Sequence, residues 1–494
     1  MASRFAVSPI PRLLIRNPKR CQPPSRDIHK RLLSTTAPTR AATTTTNRWK
    51  PIDDATLQTL KVNQTRLLSD LHHTCQWGTG QPWGPRAKPT ETGMSRLALS
   101  GADKLARDWF VDTTKALGCN VSVDAMGNIF AVRPGRRDGS ANAPPTCAGS
   151  HLDTQPMGGR YDGILGVVAG VEMLRVLEEN GVETAFPVGV VNWTNEEGAR
   201  FPISMVSSGV WAGEIPLERA HSLREVGGGT ATMRSELERI KYLEPMAASH
   251  EAMPLAAHFE LHIEQGPVLE GEKQKIGIVE GVQAYRWFTV EVVGRGAHTG
   301  TTPFPARADA MLAAARMIAL SHDIATQHAG GLASTGILTL RPGSVNTIPS
   351  TVTFSLDIRA PRDSTLDTME SEMKRAFARI ASKDVTRALD LAVNWQTDSV
   401  SPAVHFHEDC ISVVEDAAAS VLGNAGLSRR MVSGAGHDSV YTSRRCPTGM
   451  IFVPSRNGVS HHPEEYTSPE DCAIGAEVLM QSVLRYDRLR ARCL

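Results

Sequence analysis

The spacing of apolar residues changes along the chain and divides it into segments. In the first half, Leu105, Trp109, Phe110 and Leu117 recur near helical spacing, which predicts an amphipathic helix. The helices predicted in this way are 55–78, 101–118 and 164–180. Short apolar runs predict strands at 128–133, 146–151, 186–193 and 258–265. Residues 205–255 show a weaker pattern, and only helical and loop pieces are expected there.

A different pattern begins near Gln283. Phe288, Val290 and Val292 alternate with polar residues, which is typical of a half-buried strand. The elements predicted after it are a helix at 305–320, strands at 335–341 and 350–359, a helix with Leu366, Met369, Met373, Phe377 and Ile380 on one face, and a strand at 389–395. This β-α-β-β-α-β order is that of a complete ferredoxin-like α+β domain.

Patterning of the first kind resumes near residue 403, with a helix at 410–422, a strand at 450–453 and a long C-terminal helix. Strands that alternate with helices favour a mostly parallel mixed sheet covered by helices. We therefore predict an α/β catalytic domain made of residues 51–282 and 397–494. Residues 283–396 interrupt it as an inserted ferredoxin-like lid and dimerisation domain.

Composition narrows the class of protein. The chain has 494 residues, a formal net charge of +1 and 41% hydrophobic residues. This charge offers no electrostatic case for binding nucleic acid or an acidic membrane surface, and no run approaches the ~18 apolar residues of a membrane helix. The eight cysteines include no Cys-x-x-Cys pair, which predicts reduced thiols inside the cell and argues against a disulfide framework or a cysteine zinc site.

The first 50 residues differ from the rest of the chain. They carry many Arg and Lys, a single acid at Asp27, and a Ser/Thr-rich end. This composition is typical of a mitochondrial transit peptide and predicts a protein of the mitochondrial matrix. The alternative is a disordered basic tail on a cytoplasmic protein. In both cases residues 1–50 do not belong to the fold.

The first candidate for chemistry is a glycine-rich stretch that carries His151, Asp153 and Asp162. His151 and Asp153 are two residues apart at a predicted strand end, so both side chains leave on the same face. An acid there can accept the other imidazole N–H of a metal-bound histidine and hold its tautomer. Taken alone, each residue also has an ordinary explanation, namely a buried core histidine and a turn-forming Asp-Gly pair.

Two adjacent carboxylates, Glu196 and Glu197, follow the apolar run 186–193. Two carboxylates at a buried strand end are costly unless cations or hydrogen bonds compensate them. A useful arrangement has one carboxylate on a metal ion and the other free as a general base. The alternative is an acidic turn on the surface.

Four segments together carry a family resemblance. The segments are GSHLDTQPMGGRYDG, NEEGARF, ELHIEQG and GVSHHPEE. In this order they resemble the dinuclear-zinc aminoacylase and carboxypeptidase clan, from about residue 93 to about residue 465. Within the clan they resemble the hydantoinase/carbamoylase branch, which contains N-carbamoyl-L-amino acid hydrolases, fungal-type β-ureidopropionases and allantoate amidohydrolases.

The resemblance implies a site with two divalent metal ions per subunit, zinc or alternatively manganese, cobalt or nickel. It implies the following roles: His151 and His262 hold one metal, Glu197 and His461 hold the other, Asp162 bridges both, Glu196 is the catalytic base, and Asp153 is the outer partner of His151. His462 is an alternative to its neighbour His461. His262 separates this branch from the peptidases of the clan, which commonly have a carboxylate at that position.

A substrate clamp is expected from the inserted domain. Val352, Phe354, Leu356 and Ile358 share one face of a predicted strand, so Arg359 lies on the other. A guanidinium there can take a carboxylate bidentately. By resemblance, the clamp also includes His298 and Asn346, with Gln265 and His437 as further contacts to the ureido group. Singly, these could be a surface Arg, a turn Asn and a loop His.

The resemblance therefore implies an amidohydrolase that cleaves the ureido C–N bond of N-carbamoyl amino acids to amino acid, carbon dioxide and ammonia. The substrate is a small ureido compound with a carboxylate, and the implied partner is a second copy of the chain, bound through the inserted domain. Residues 153–159 and 282–287 favour the carbamoylase and β-ureidopropionase members. The alternatives are an allantoate amidohydrolase, an aminoacylase or peptidase, and an inactive metal-binding scaffold.

Overall fold

The computed structural model describes residues 52–82, 90–136, 143–382 and 391–492. The predicted transit segment 1–50 lies outside the described residues, as do Leu389, Cys21 and Cys493. The other six cysteines are all buried and free, in agreement with the predicted reduced thiols. Within the described ranges, no helix combines the length and the apolar character needed to span a membrane.

The described residues form thirteen α-helices and eighteen β-strands. The helices are α1 (Asp54–Thr59), α2 (Gln64–Thr74), α3 (Gly101–Ala116), α4 (Ile164–Glu179), α5 (Val206–Trp211), α6 (Leu217–His221), α7 (Met233–Ile240), α8 (Val268–Gly271), α9 (Ala310–Thr326), α10 (Asp363–Ala381), α11 (Glu408–Leu422), α12 (Ser439–Thr442) and α13 (Pro469–Arg492). Short 3-10 turns lie at Val226–Gly228, Phe304–Ala306, Ala425–Leu427 and Arg456–Gly458.

The strands are β1 (Thr79–Pro82), β2 (Thr92–Met94), β3 (Asn120–Val123), β4 (Ile129–Arg133), β5 (Thr146–His151), β6 (Val188–Trp193), β7 (Ala257–Ile263), β8 (Ile276–Val282), β9 (Ala284–Val293), β10 (Ala297–His298), β11 (Leu332–Ser334), β12 (Leu338–Arg341), β13 (Thr347–Ile348), β14 (Thr351–Ala360), β15 (Ala392–Ser401), β16 (Val404–His405), β17 (Ser428–Ser433) and β18 (Thr448–Val453).

Nine strands form the main sheet, in the order β16-β8-β18-β7-β5-β6-β4-β3, with β17 also paired to β8. The four central strands β18, β7, β5 and β6 are parallel to one another. Antiparallel pairs flank them on both sides, β6 with β4 and β18 with β8. The central strands are buried along their whole length, as expected for parallel strands covered on both faces.

Helices cover the main sheet because their apolar faces need a partner. In α4, thirteen of sixteen residues are buried, including both Val167 and Val171, so this helix lies inside the domain and not at its surface. The helix α13 packs against α4, α11 and α2. Helix α3 begins where Ser100 accepts a hydrogen bond from the N–H of Asp103, which is a standard N-cap.

A second sheet is formed by the residues between β8 and β16. Its order is β11-β14-β9-β15, with β12 also paired to β14, and all of its pairs are antiparallel. With α9 and α10, the chain order is the predicted β-α-β-β-α-β, except that the second strand is divided into β11 and β12, which both pair with β14. Along β14, buried and half-buried residues alternate without exception. Residues such as Phe288, Phe354 and Phe377 build a hydrophobic core separate from that of the main sheet.

The second sheet ends later than predicted. The predicted boundary was residue 396, whereas β15 continues to Ser401, which pairs with Tyr285. The pairing continues because β9 provides backbone partners along its full length. The sequence did not reveal this, because the end of β15 is polar and exposed, as befits an edge strand. The main sheet resumes at β16.

Two other predictions about elements were wrong. The predicted helix 55–78 is two helices, because the side chain of Asn63 accepts a hydrogen bond from Arg66 N at 3.1 Å and starts α2 anew. Strands β3, β8, β16 and β17 of the main sheet were missed, as were the short strands β1, β2, β10 and β13. The region 205–255, expected to hold only helical and loop pieces, contains the short helices α5, α6 and α7 joined by loops, and this prediction is confirmed.

Candidate metal centre and active site

The candidate residues meet at the carboxyl ends of the parallel strands. β5 ends at His151, Glu196 and Glu197 follow β6, and His262 is the penultimate residue of β7. Neighbouring parallel strands end at the same edge of a sheet, where ligands of α/β proteins usually bind. Residues far apart in sequence therefore reach one place because β7, β5 and β6 are adjacent.

One group of potential metal ligands consists of His151, Asp162 and His262, all buried. His262 Nε2 lies 3.0 Å from Asp162 Oδ1, and His151 Nε2 lies 3.4 Å from the same oxygen. A second group consists of Asp162, Glu197 and His461. His461 Nε2 lies 3.4 Å from Asp162 Oδ2 and 3.2 Å from Glu197 Oε2.

Asp162 is common to both groups and turns one carboxylate oxygen to each. Oδ1 faces His151 and His262, while Oδ2 faces His461. Within each group the ligand atoms lie within 4.8 Å of one another. Imidazole and carboxylate donors suit zinc and related divalent ions. A carboxylate whose two oxygens serve different ligand sets has the geometry required to bridge two ions.

The position of the His151 ring also fits a divalent ion. The Nε2 atom of His151 is buried and has no hydrogen-bond partner among the described residues, so it has a free lone pair or proton pointing into the site. Gly163, with φ of +67°, lies directly against this ring. A Cβ atom there would come within 2.3 Å of His151 Cε1, so the position requires glycine for space as well as for its left-handed backbone.

The pKa values of the histidines and the carboxylates in the two ligand groups depend on each other. Hydrogen bonds to Asp162 and Glu197 raise the pKa of His461 to about 11. Burial alone would raise the pKa of Asp162, but the facing imidazoles, His262 first, hold it well below its ordinary value. The ion-free groups are thus imidazolium–carboxylate pairs, in which protons occupy positions that a cation can take.

Glu196 differs from its neighbour Glu197. It belongs to neither ligand group, and it lines the cavity at the centre. Its Oε2 lies 3.5 Å from His151 Nε2. Burial, with the nearby acids Asp438 and Glu197, raises the pKa of Glu196 well above its ordinary value. A buried carboxyl group with a raised pKa is suited to accept and return a proton.

The predicted contact between Asp153 and His151 is different in the structure. His151 Nδ1 lies 2.9 Å from the backbone carbonyl oxygen of Asp153, which accepts the imidazole N–H in place of the carboxylate. The carboxylate accepts the backbone N–H of Asn195 at 3.1 Å, and Glu196 and Glu197 donate to it at 3.4 Å. Asp153 therefore positions the turn that carries both glutamates, and the backbone carbonyl at its position holds the histidine.

Strained backbone is concentrated at the site. Asn195, Gln265 and His461 all have φ between 54° and 58°, a region that non-glycine residues rarely occupy. Asn195 is held there by hydrogen bonds from Nδ2 to the carbonyls of Phe201 and Ile203, both 3.1 Å. Such conformations persist where the surrounding structure enforces them and commonly mark functional sites.

Several polar residues that hold the ligands were not predicted in this role. Gln265 was expected to contact the ureido group, but its Nε2 donates to Asp162 Oδ2 at 2.8 Å. Ser460 also bonds Asp162 Oδ2, at 3.1 Å, and Gln155 donates to Glu197 Oε2 at 2.8 Å. Glu465 accepts the backbone N–H groups of Tyr161 and Asp162, both at 3.0 Å. These four residues could have been found from the sequence because all of them lie within the four motifs.

The adjacent histidines are distinguished by the structure. His461 belongs to the second ligand group, whereas His462 accepts the N–H of Glu464 through Nδ1 at 3.2 Å and lies outside both groups. His437 is buried and lines the cavity, and its ring packs edge-on against His262 with 4.5 Å between centroids. Burial, with the neighbouring His262, lowers the pKa of His437 to about 3, so it is a neutral hydrogen-bonding group.

A cavity of about 320 Å³ extends from the ligand groups to the second sheet. Its lining includes Glu196 and His461 on the main domain and Arg359, Tyr285 and Trp287 on the second sheet. Arg359 lies on the open face of β14, as predicted. Asp357 on the same face binds its Nε and Nη2 atoms, the latter at 2.8 Å. Nη1 does not bind Asp357 and donates to the backbone carbonyl of Gly434 at 3.1 Å.

His298 and Asn346 are brought together, but not at the cavity. They are neighbours because β10 pairs with β13, and Thr299 N donates to the carbonyl of Asn346 at 2.9 Å. Both side chains are exposed, and neither lines the cavity that contains Arg359. The structure of a single chain therefore assembles one part of the predicted clamp and leaves His298 and Asn346 outside it.

Fold and site define a class of protein, namely hydrolases with paired metal-ligand groups above a mixed α/β sheet. The sequence profile of peptidase family M20/M25/M40 matches residues 147–485, and the chain belongs to this family. The family resemblance predicted from the four motifs is thereby confirmed.

Individual relatives narrow the comparison. An N-carbamoyl-L-amino-acid amidohydrolase of Rhizobium meliloti is 36% identical over 86% of this chain and 96% of its own length. A ureidoglycolate hydrolase of Arabidopsis thaliana is 33% identical over 78% of this chain and 80% of its own. A solved hydantoinase/carbamoylase family amidase of Burkholderia multivorans is 41% identical, with a TM-score of 0.78 over 86% of this chain and 98% of that chain.

Proposed function

We propose that this chain is an amidohydrolase that hydrolyses the carbamoyl C–N bond of N-carbamoyl-L-amino acids. It belongs among hydrolases of carbon–nitrogen bonds other than peptide bonds. The observation that carries the proposal is the single cavity that joins two ligand groups sharing Asp162, a free carboxyl at Glu196, and the guanidinium of Arg359. The relatives named N-carbamoyl-L-amino-acid amidohydrolases support it.

Two divalent ions fit the donors. His151, His262 and Asp162 would hold one ion, and Glu197, His461 and Asp162 the other. Bound there, the ions lower the pKa of water and polarise the carbonyl of the substrate. Gln265 and Ser460 hold Asp162 Oδ2, and Gln155 holds Glu197 Oε2. These bonds keep the ligand carboxylates in place when their charges are shared with cations.

Glu196 is the proton carrier in this proposal. Its carboxylate removes a proton from the attacking water and returns it to the α-nitrogen of the amino acid as the bond between that nitrogen and the carbamoyl carbon breaks. Burial of Glu196 favours the protonated form once the first transfer has occurred. The products are the free amino acid and a carbamate, which decomposes to carbon dioxide and ammonia.

Arg359 binds the carboxylate of the substrate. Asp357 holds the Nε edge of the guanidinium at 3.1 Å, so the group is oriented before substrate arrives. A planar donor fixed in this way recognises a carboxylate bidentately. This gives the substrate one anchored end at Arg359 and one reacting end at the ligand groups.

A homodimer formed through the second sheet completes the proposal. Eight of the twelve large hydrophobic side chains exposed among the described residues belong to residues 284–401, and Phe304, Ile337 and Val345 are the most exposed of them. Exposed apolar residues that are concentrated in one domain favour an interaction surface on that domain. In a dimer, His298 and Asn346 of one chain would serve the cavity of its partner and stabilise the developing oxyanion there.

A second candidate function is hydrolysis of ureidoglycolate or allantoate. The 33% identity to plant ureidoglycolate hydrolases favours including it. All of these compounds carry a ureido group and a carboxylate, so the same two ends of the cavity would bind them.

The deciding experiment measures ammonia release from N-carbamoyl-L-amino acids, N-carbamoyl-β-alanine, allantoate and ureidoglycolate. An N-acetyl amino acid and a dipeptide serve as controls, and their hydrolysis is followed through release of the free amino acid. We expect the protein, supplied with zinc, manganese or cobalt, to hydrolyse N-carbamoyl-L-amino acids with a higher kcat/KM than the other compounds. Hydrolysis of the acetylated or peptide compound in the absence of any ureido activity would overturn it. A protein that binds two ions but hydrolyses none of the six would be an inactive scaffold.

A further inference from the structure

The cavity has two chemically different walls. One is formed by the ligand groups and Glu196, which the proposed reaction uses. The other includes Tyr285 and Trp287 of the second sheet, and Met205 of the main domain lines the same cavity. Trp287 is 44% exposed, although a tryptophan normally covers most of its surface in a folded protein. Hydrolysis of a ureido group requires no aromatic surface, so this wall needs a separate explanation.

The aromatic residues stand directly beside the predicted carboxylate binder. Tyr285 and Trp287 are two residues apart on β9 and therefore share one face, with ring centroids 5.2 Å apart. Arg359 is the cross-strand partner of Tyr285, and its guanidinium carbon lies 5.5 Å from the centre of that ring. The aromatic surface thus begins at Arg359 and continues to Trp287.

Met205 is a flexible apolar residue that lines the same cavity. Its backbone has φ of 54°, and its N–H donates to the carbonyl of Glu196 at 2.7 Å. Its side chain lies against Gly436, where a Cβ atom would come within 2.9 Å of Met205 Cε. A methionine fills irregular space and adapts to different apolar groups.

Resting on the proposed function, we propose that Trp287, Tyr285 and Met205 bind the side chain of the substrate and select N-carbamoyl α-amino acids with a large apolar side chain. The carboxylate held by Arg359 places the α-carbon beside Tyr285. A substituent on that carbon then reaches Trp287 and removes its exposed surface from water. N-carbamoylglycine and N-carbamoyl-β-alanine have no α-substituent and leave the aromatic surface uncovered.

The test compares kcat/KM for N-carbamoyl-L-phenylalanine, N-carbamoyl-L-methionine, N-carbamoylglycine and N-carbamoyl-β-alanine. The wild-type enzyme is expected to prefer the phenylalanine and methionine compounds over the glycine compound by roughly 10-fold or more. Trp287→Ala should lower the phenylalanine-to-glycine ratio by roughly 10- to 100-fold. Trp287→Phe should restore most of the ratio, because it keeps an aromatic face.

A matched control is Leu105→Ala, which removes an exposed apolar side chain from helix α3 of the main domain, outside the cavity. It should keep the wild-type ratio. An active enzyme with a ratio near one, or an unchanged ratio in Trp287→Ala, would overturn the side-chain site and leave the proposed function standing. Absence of ammonia release from every ureido compound would instead overturn the proposed function.

Discussion

Arg359 donates a hydrogen bond from Nη1 to the backbone carbonyl of Gly434 at 3.1 Å. The first residue belongs to the second sheet, and the second lies in the loop that leads to His437 in the main domain. The same carbonyl accepts a hydrogen bond from Gln283 Nε2 at 2.9 Å. Arg359 and Gln283 therefore donate to the same carbonyl group. These two hydrogen bonds connect the carboxylate-binding end of the cavity to its catalytic end.

Replacing Arg359 with lysine should impair substrate binding. A lysine keeps the charge but loses the planar pair of donors, so we expect kcat/KM for an N-carbamoyl-L-amino acid to fall roughly 10- to 100-fold, mainly through KM. An alkylurea without a carboxylate should be hydrolysed no more slowly by the variant than by the wild type. Arg286→Lys is the matched control, because Arg286 lies on the helix-covered face of the same sheet and pairs with Asp367 and Glu370. Equal effects of both changes would contradict the assigned role.

Replacing Glu196 with glutamine should remove the proton carrier and leave the ligand groups intact. We expect kcat to fall about 10²- to 10⁴-fold, while elemental analysis still finds two ions per chain. The same change at the neighbouring Glu197 is the control, since it removes a ligand and should lower the metal content. Wild-type kcat in Glu196→Gln would refute the assignment of the base.

Metal binding should release protons. The pKa of His461 in the ion-free protein is raised to about 11 by its bonds to Asp162 and Glu197, so at about pH 7 its ring carries a proton that a cation must displace. Calorimetric titration with zinc in buffers of different ionisation enthalpy should therefore report release of at least about one proton per chain. Apparent affinity should weaken as the pH falls, because protons then compete for the same nitrogen.

The control for this titration is His461→Gln, which should release about one proton fewer and bind one ion more weakly. Identical apparent heats in all buffers for the wild type would contradict the proposed coordination by His461.

The two separate cores should respond separately to mutation. Phe377 is fully buried in the second core and stacks on Trp395 with 5.2 Å between centroids. Phe377→Ala should cost about 3–5 kcal/mol, and hydrogen exchange should accelerate chiefly in β9, β14 and α10. Phe259→Ala, at an equally buried position of the main core, should accelerate hydrogen exchange chiefly in the main sheet and its helices. Uniform acceleration in both variants would show that the two sheets unfold as one unit.

Much of this protein could be predicted from its sequence by local rules. The alternation of Val352, Phe354, Leu356 and Ile358 identified a strand with Arg359 on its open face, because side chains alternate along every strand. The order of helices and strands identified the second domain. The family resemblance of the four motifs predicted the metal ligands, and the structure brings these imidazole and carboxylate groups together in two candidate groups.

Only the tertiary structure decided how these residues are connected. Asp162 and His461 are brought together by the adjacency of β5, β7 and β18, and no local period reports which strands are neighbours. The hydrogen bond from His151 to the backbone of Asp153 was also visible only in the structure, because every residue has a backbone carbonyl and the sequence does not show which one accepts. The end of β15 at Ser401 was likewise set by pairing with Tyr285 and not by its own polar residues. Local chemistry thus lies in the sequence, whereas partners, distances and the aromatic wall beside Arg359 arise from long-range packing.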